Sequence, residues 1–311
     1  MLLNRVTAEE YEKACGRYQY FYDSMRFHEL NKGKVDSVEY LIFGGSKKKL
    51  ALAIGIRDGE IRVPYSAPFG MFEQLQPHIK LEEIGEAIGL LEQYGRENKI
   101  NRIFFRLPPN FYDESFLAKT LVCLLQNGYQ SACCDLNYQF YIQDMQKYES
   151  SLLRNARKNL KKALQYEFSF IYCSSEKEKR EAYDIIAVNR SRKGYPLRMT
   201  YEQVWQTIQL TPHDFFLLKE GEKNIAAAIV FMVNEKCYQV IYWGDIGGYE
   251  GKRPMNYLAY KVYEFYVNKG IEVLDIGPST EEGIPNYGLC DFKESIGCET
   301  SMKYSYYKDL I

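Results

Sequence analysis

Histidine is scarce in this chain: His28, His78 and His213 are the only three in 311 residues, and they lie far apart in sequence. That disfavours a histidine-built metal centre and a serine–histidine–acid triad, so no metal is expected. The 8 cysteines follow no metal-binding spacing. Cys133 and Cys134 are adjacent, and Cys173, Cys237, Cys290 and Cys298 stand alone. No apolar run approaches the ~18–20 residues a membrane helix needs. The opening MLLNRVTAEEYEKA turns charged at once instead of building a secretory core. The expectation is a cytoplasmic protein with reduced thiols and no membrane span. Charge of either sign is not in excess: 40 Lys and Arg face 41 Asp and Glu, so any contact with a polyanion must come from a local patch. Aromatics are plentiful, with 28 Tyr and 17 Phe, and suit half-buried strands and cleft walls.

The pattern of elements is more informative than the composition. Thr7, with Glu10 three residues on, forms a capping box and predicts a helix to about His28. Strands are expected at 37–43, 49–56 and 60–64, the last two joined by the hairpin turn Asp58–Gly59. A rigid Pro64–Gly70 loop follows, then a helix at 81–98, a strand at 101–107, a helix at 116–126 and a strand at 129–142. The second half gives strands at 214–219, 224–233 and 237–243, a glycine loop at 244–252, a helix at 255–268 with Pro254 near its first position, and a strand at 271–276. A loop, a short helical turn and a closing strand at 298–307 end the chain. The two halves share this order without sharing sequence. Such a duplication predicts two similar α/β (α+β) domains with mixed sheets flanked by helices, residues 1–144 and 145–311. No low-complexity linker separates them.

Two basic segments lie between these repeats. Residues 148–166 read as one helix with Leu152, Leu153, Ala156, Leu160, Ala163 and Leu164 on one face. Arg154, Arg157, Lys158, Lys161 and Lys162 fall on the other, either as a phosphate-binding stripe or as a solvated face. Between helices at 176–193 and 200–210 runs Arg190-Ser-Arg-Lys-Gly-Tyr-Pro-Leu-Arg198. This loop fits a cover over an anionic substrate, or a plain helix connection with exposed arginines.

Arg154-Asn155-Ala156-Arg157-Lys158 resembles the arginine–asparagine–x–arginine–lysine signature of FemAB-like aminoacyltransferases. The tail Gly288-Leu289, Phe292-Lys293 and Ile296-Gly297 is similar to that family's ending. Asp275-Ile276-Gly277, Pro68-Phe69-Gly70 and Asn127-Gly128-Tyr129 fit the same pattern, so the resemblance runs along nearly the whole chain. It implies two tandem GNAT-like domains with mostly antiparallel sheets, and transfer of an acyl group to an amine. Some family members move an amino acid from aminoacyl-tRNA to a peptidoglycan precursor. Some carry a coiled-coil arm, which this sequence lacks.

Acyl transfer to an amine requires deprotonation of the amine, stabilisation of the oxyanion and alignment of two substrates. By match to the family's phenylalanine–lysine pair, Lys293 is the expected oxyanion stabiliser, with Tyr287 and Phe292 shaping the site. Asp275, Glu281 and Glu282 are candidate bases. Arg154, Arg157 and Lys158 would bind substrate phosphates or pack on the other domain. Gly247, Gly248, Gly251, Lys252 and Arg253 precede the 255–268 helix, where a pyrophosphate cradle for acetyl-CoA or another acyl-CoA belongs. Aminoacyl-tRNA is the alternative donor, and the acceptor would be a small-molecule or precursor amine such as a nucleotide-linked sugar. Two other readings stand beside this one: a GNAT-fold protein that binds ligand without catalysis, and a nucleic-acid binder using the 154–162 stripe.

Overall fold

The computed structural model describes residues 1–310 and divides the chain into two compact units. Unit 1 is Met1–Leu136 with Thr280–Ile284 and the tail from Ser301; unit 2 is Asn137–Ser279 with Pro285–Thr300.

Unit 1 opens with strand β1 (Leu2–Val6), which the sequence reading missed because Asn4 and Arg5 hide its alternation. It pairs antiparallel with β2 (Ser37–Gly44), which pairs with β3 (Lys48–Arg57), whose other edge takes β4 (Glu60–Val63) and the short β5 (Glu73–Gln74). Leu41, Phe43, Leu50 and Ile54 are fully buried there. The Thr7 capping box is present, but the expected 7–28 helix is two pieces, α1 (Ala8–Cys15) and α2 (Met25–Asn31). Gly16 stops the first at φ 64°, a left-handed value cheap for glycine, and Tyr20, Phe21 and Tyr22 then turn into the core. Helix α3 (Leu81–Glu97) buries Ile84, Ala87, Ile88 and Leu91 and packs on α4 (Glu114–Gln126). Between these helices runs β6 (Arg102–Arg106), parallel to β4. After α4, β7 (Gln130–Tyr141) crosses the boundary between the units.

Unit 2 begins with α5 (Met145–Ser151) and α6 (Arg154–Ala163) where a single helix was expected. The break falls at Leu152 and Leu153, whose ψ values of 131° and 158° are extended. Leu152 is buried, and the Leu153 amide donates to the Ser295 carbonyl instead of continuing a helix. Next come β8 (Phe168–Tyr172), α7 (Glu176–Lys193) and α8 (Tyr201–Ile208). Strands β9 (His213–Glu220), β10 (Lys223–Asn234) and β11 (Cys237–Asp245) form an antiparallel run with β8 on its far edge. Helix α9 (Pro254–Lys269) leads to β12 (Val273–Pro278), which is parallel to β11. A small hairpin, β13 (Thr280–Glu281) and β14 (Ile284–Pro285), precedes α10 (Tyr287–Ser295) and β15 (Glu299–Asp309).

Both sheets are mixed and mostly antiparallel, with helices flanking them. Each has four antiparallel strands, the fourth running parallel to the strand that follows a helix. Each parallel strand takes its outer neighbour from a distant part of the chain. In unit 1, Ser305–Asp309 of β15 pair with β6; in unit 2, Asn137–Tyr141 of β7 pair with β12.

A buried acid ties β9 to α9. Asp214, 2% exposed, accepts from the Tyr266 hydroxyl at 2.8 Å and from Lys269 Nζ at 2.6 Å. Asp214→Ala leaves a buried hydroxyl and a half-buried ammonium without an acceptor. It should lower unfolding free energy by about 2–3 kcal/mol in a denaturant titration.

Candidate functional site

The parallel strands of unit 2 pair over only three residues, Cys237–Gln239 against Val273–Asp275. Beyond Gln239, β11 continues to Asp245 with ladder partners on its β10 edge alone, and β12 continues to Pro278 beside β7. The cause is local. Ile229 faces Tyr242 and Val230 faces Val240, so Ile241 is an extra residue, a β-bulge that bends its strand. β12 carries a second bulge at Ile276, between Asp275 opposite Gln139 and Gly277 opposite Tyr138, with Gly277 at φ 76°. Two parallel strands, each bulged where pairing stops, leave a split between them. The edge of β11 from Val240 onward has no β12 partner there.

The root of the split is a fully buried carboxylate. Asp275 Oδ1 accepts from Asn137 Nδ2 at 2.7 Å and from the Gly277 amide at 2.8 Å. Its Oδ2 accepts from Gln239 Nε2 at 2.6 Å. Both oxygens are thus committed to three strands, and a buried, saturated carboxylate is poorly placed to take a proton from an incoming amine.

Lys293, 3% exposed on α10, closes the same end of β12. Its ammonium donates to the carbonyls of Ile276 at 3.2 Å, Gly277 at 2.8 Å and Pro278 at 3.1 Å, beside the Tyr138 ring at 5.2 Å. Three hydrogens meet three carbonyls, so an oxyanion would have to displace one of them. Burial pushes this lysine down to about 8, against the upward pull of Cys298 and Asp275. Phe292, the next residue back, is half-buried against Trp243 of β11 at 6.0 Å, while Tyr287 is exposed at the start of α10. Glu281 and Glu282 are exposed in the β13–β14 hairpin.

The 244–253 loop neutralises itself. The Gly247 amide donates to Asp245 Oδ1 at 2.9 Å and the Gly248 amide to Glu250 Oε1 at 3.1 Å. Arg192 bridges Asp245 and Glu250 at 3.4 Å each, and Lys252 pairs with Glu220. A Cβ on Gly247 would fall 1.9 Å from the Arg192 guanidinium carbon, and Gly251 is exposed with open space around it. Arg253, at φ 61°, is the exposed N-cap of α9.

Helix α6 is the opposite case. Arg154, Arg157, Lys158, Lys161 and Lys162 are all exposed, no acid lies on the helix, and no ion pair among the described residues holds any of them. Arg157 alone is tethered, donating to the Leu152 carbonyl at 3.1 Å. The helix packs on α9 and α10 through Ala156, Leu160 and Ala163.

The residue that sequence reading left unassigned is Arg190, in the last turn of α7. Its guanidinium lies over the rings of Tyr242 at 5.3 Å and Tyr195 at 5.8 Å. Its Nε is buried without a hydrogen-bond partner. The Tyr195 hydroxyl accepts from Asn286 Nδ2, the α10 N-cap, at 2.6 Å. The sequence signal was the arginine-rich 190–198 loop, but nothing in it separated Arg190 from its neighbours.

This fold is the FemAB-like, tandem-GNAT fold. The structure resembles that of FemX (TM-score 0.70, 11% identity, 99% of this chain and 97% of that one). It also resembles L-PGS from Bacillus licheniformis (0.63, 11%, 98% and 93%) and a tandem GNAT protein from the clavulanic acid biosynthesis pathway (0.55, 9%, 100% and 98%). No protein-family model matches the sequence, and no curated protein matches it significantly. Among the described residues, no cluster of His, Cys, Asp or Glu is placed to hold a metal ion, and no helix is long and apolar enough to cross a membrane.

Lys293→Met removes the ammonium and leaves three buried carbonyls without donors. The expected loss is about 2–4 kcal/mol. The pH dependence has a definite sign. Between about 8 and 10.5 the folded chain has released this proton while the unfolded chain still holds it, so stability rises with pH across that window. The difference between wild type and Lys293→Met, followed by urea unfolding from pH 7 to 10.5, should widen in favour of wild type; a constant difference would refute the buried, depressed lysine.

Proposed function

We propose that this chain is an acyltransferase that moves an acyl group onto an amine, using the split between β11 and β12 of unit 2. The single observation that carries this reading is the bulged edge of β11. It offers backbone groups beside an opening closed at its root by Asp275 and at its end by Lys293. A planar acyl group can lie along such an edge as an added strand would, with its carbonyl oxygen facing backbone donors fixed in advance. Alignment then supplies much of the catalysis, and no strong general base is required. Asp275 and Lys293 take positioning roles here: they hold the two strand ends apart and do not touch the reacting atoms. Likeness to FemX, L-PGS and a tandem GNAT protein supports an acyltransferase.

The charge distribution favours a donor carried on a polyanion over acyl-CoA. A pyrophosphate needs free amides and net positive potential at the α9 entry. Here the amides of Gly247 and Gly248 serve the loop's own acids, and Arg192 and Lys252 are paired. Five unpaired cations stand instead on α6, which packs against the helix bearing Lys293. Aminoacyl-tRNA is the donor that the family resemblance names and that this face suits.

Binding of mixed charged tRNA across a salt series, alongside calorimetric titration of acetyl-CoA, tests the reading. The expected result is tRNA binding that weakens steeply with salt. In Lys158→Glu/Lys161→Glu the log–log slope should fall by about two. Deacylation of the tRNA should be accelerated by an amine pool. Micromolar acetyl-CoA binding without tRNA binding would transfer the reaction to acyl-CoA, and binding of neither would leave a non-catalytic GNAT-fold protein.

A further inference from the structure

A guanidinium seldom sits half-buried without an acid. Every acid close to the arginines of the 190–198 stretch serves a different one: Asp245 and Glu250 hold Arg192. Arg190 has no ion pair among the described residues, and its Nε is buried without an acceptor. Two aromatic rings, Tyr242 and Tyr195, hold its plane. Ring faces attract the cation but accept no N–H bond in the guanidinium plane, so they fix the orientation of the fork and leave its donors unspent.

Its position matters as much as its state. Tyr242 directly follows the Ile241 bulge, on the part of β11 that has left β12. Tyr195 bonds Asn286, the N-cap of the helix that carries Phe292 and Lys293. Arg190 therefore lies between the freed part of β11 and the entry of α10, beside the same split. The next residue back, Asn189, donates to the Asp245 carbonyl at 2.7 Å, and a Cβ on Gly244 would fall 2.4 Å from Asn189 Cγ. The last turn of α7 is thus clamped to the end of β11, and Arg190 cannot drift far from the split.

The geometry points to Arg190 as a specificity-determining residue that receives an anionic group of the amine acceptor, a carboxylate or a phosphate, through its unpaired guanidinium fork. This rests on the acyl-transfer reading for the identity of the ligand as acceptor, but not for the existence of the anion site. A cation oriented by rings and lacking a counter-ion is preorganised for a bidentate anion. Burial also pulls Arg190 below the usual arginine range, with the neighbouring Arg198 adding to the effect. Arg198 is exposed at the far end of the same loop and adds positive potential at the mouth.

The test observes the arginine directly. The Nε–H resonance of Arg190, assigned by its loss in Arg190→Gln, is followed by NMR while inorganic phosphate, acetate and succinate are titrated at constant ionic strength, with chloride as control. The expected result is a saturable shift with at least one of these anions. Phosphate and the two carboxylates are separate arms that tell which group the site prefers. Thermal shift should show the same anion binding at least about tenfold more weakly to Arg190→Gln, and more weakly to Arg190→Lys, which keeps the charge without the fork. Arg190→Met keeps the aliphatic stem and, without added anion, should melt at or above the wild-type temperature, because it removes an uncompensated charge. No saturable shift, a shift matched by chloride, or a Met variant that melts several degrees lower would each overturn the proposal. Binding without any acyl transfer would keep the anion site and remove the preceding functional reading, so the two fail separately.

Discussion

A single buried carboxylate governs where the sheet of unit 2 stops being a sheet. Asp275 reaches Gln239 on β11 and Asn137 on β7 through side chains, and its own chain through the Gly277 amide. The last parallel pair is Gln239 with Asp275, so the backbone ladder ends at the residues whose side chains are joined. A charge in that setting is tolerable only while fully hydrogen-bonded. The register of three strands follows from keeping it so. Past this knot the bulges at Ile241 and Ile276 bend both strands, and Lys293 takes up carbonyls that a continuing ladder would otherwise have engaged. The split is therefore a consequence of satisfied polar groups on either side, not of missing ones.

Electrostatics divides the surface of unit 2 into two kinds of basic segment that look alike in sequence. Lys252, Arg192 and their glycine loop have carboxylates within reach and are internally neutral. The α6 cations have none, because RNARKNLKKA contains no acid and its packing partners meet only its apolar face. Proximity to acids, not the count of lysines and arginines, separates a structural ion-pair network from a surface that can attract a polyanion.

Much of this architecture was legible in the sequence. The Thr7 capping box, the Asp58–Gly59 hairpin and the 176–193 helix appear as read, because each rests on local chemistry. Element order also carried the tandem fold. Failures came where a tertiary contact overrode a local pattern: the 148–166 helix breaks at Leu152 and Leu153 to meet Ser295, and the 7–28 helix ends at Gly16 so that Tyr20 and Tyr22 can be buried. At the site, the phenylalanine–lysine pair pointed to the right place. Yet sequence cannot show that the lysine's hydrogens are already spent, or that among several arginines Arg190 alone combines an unpaired Nε with two flanking rings. Both facts depend on residues more than ten positions away.

The exchange of outer strands makes the order of the gene matter. β6 is completed by residues after Ser301, and β12 by residues before Ile142, so no single cut yields a fragment that contains a whole sheet. During synthesis, unit 1 lacks the neighbour of β6 until the last dozen residues have been made. It must wait for the entire second half before its sheet can close. A ribosome that stalls late leaves an exposed strand edge of the kind that recruits other chains.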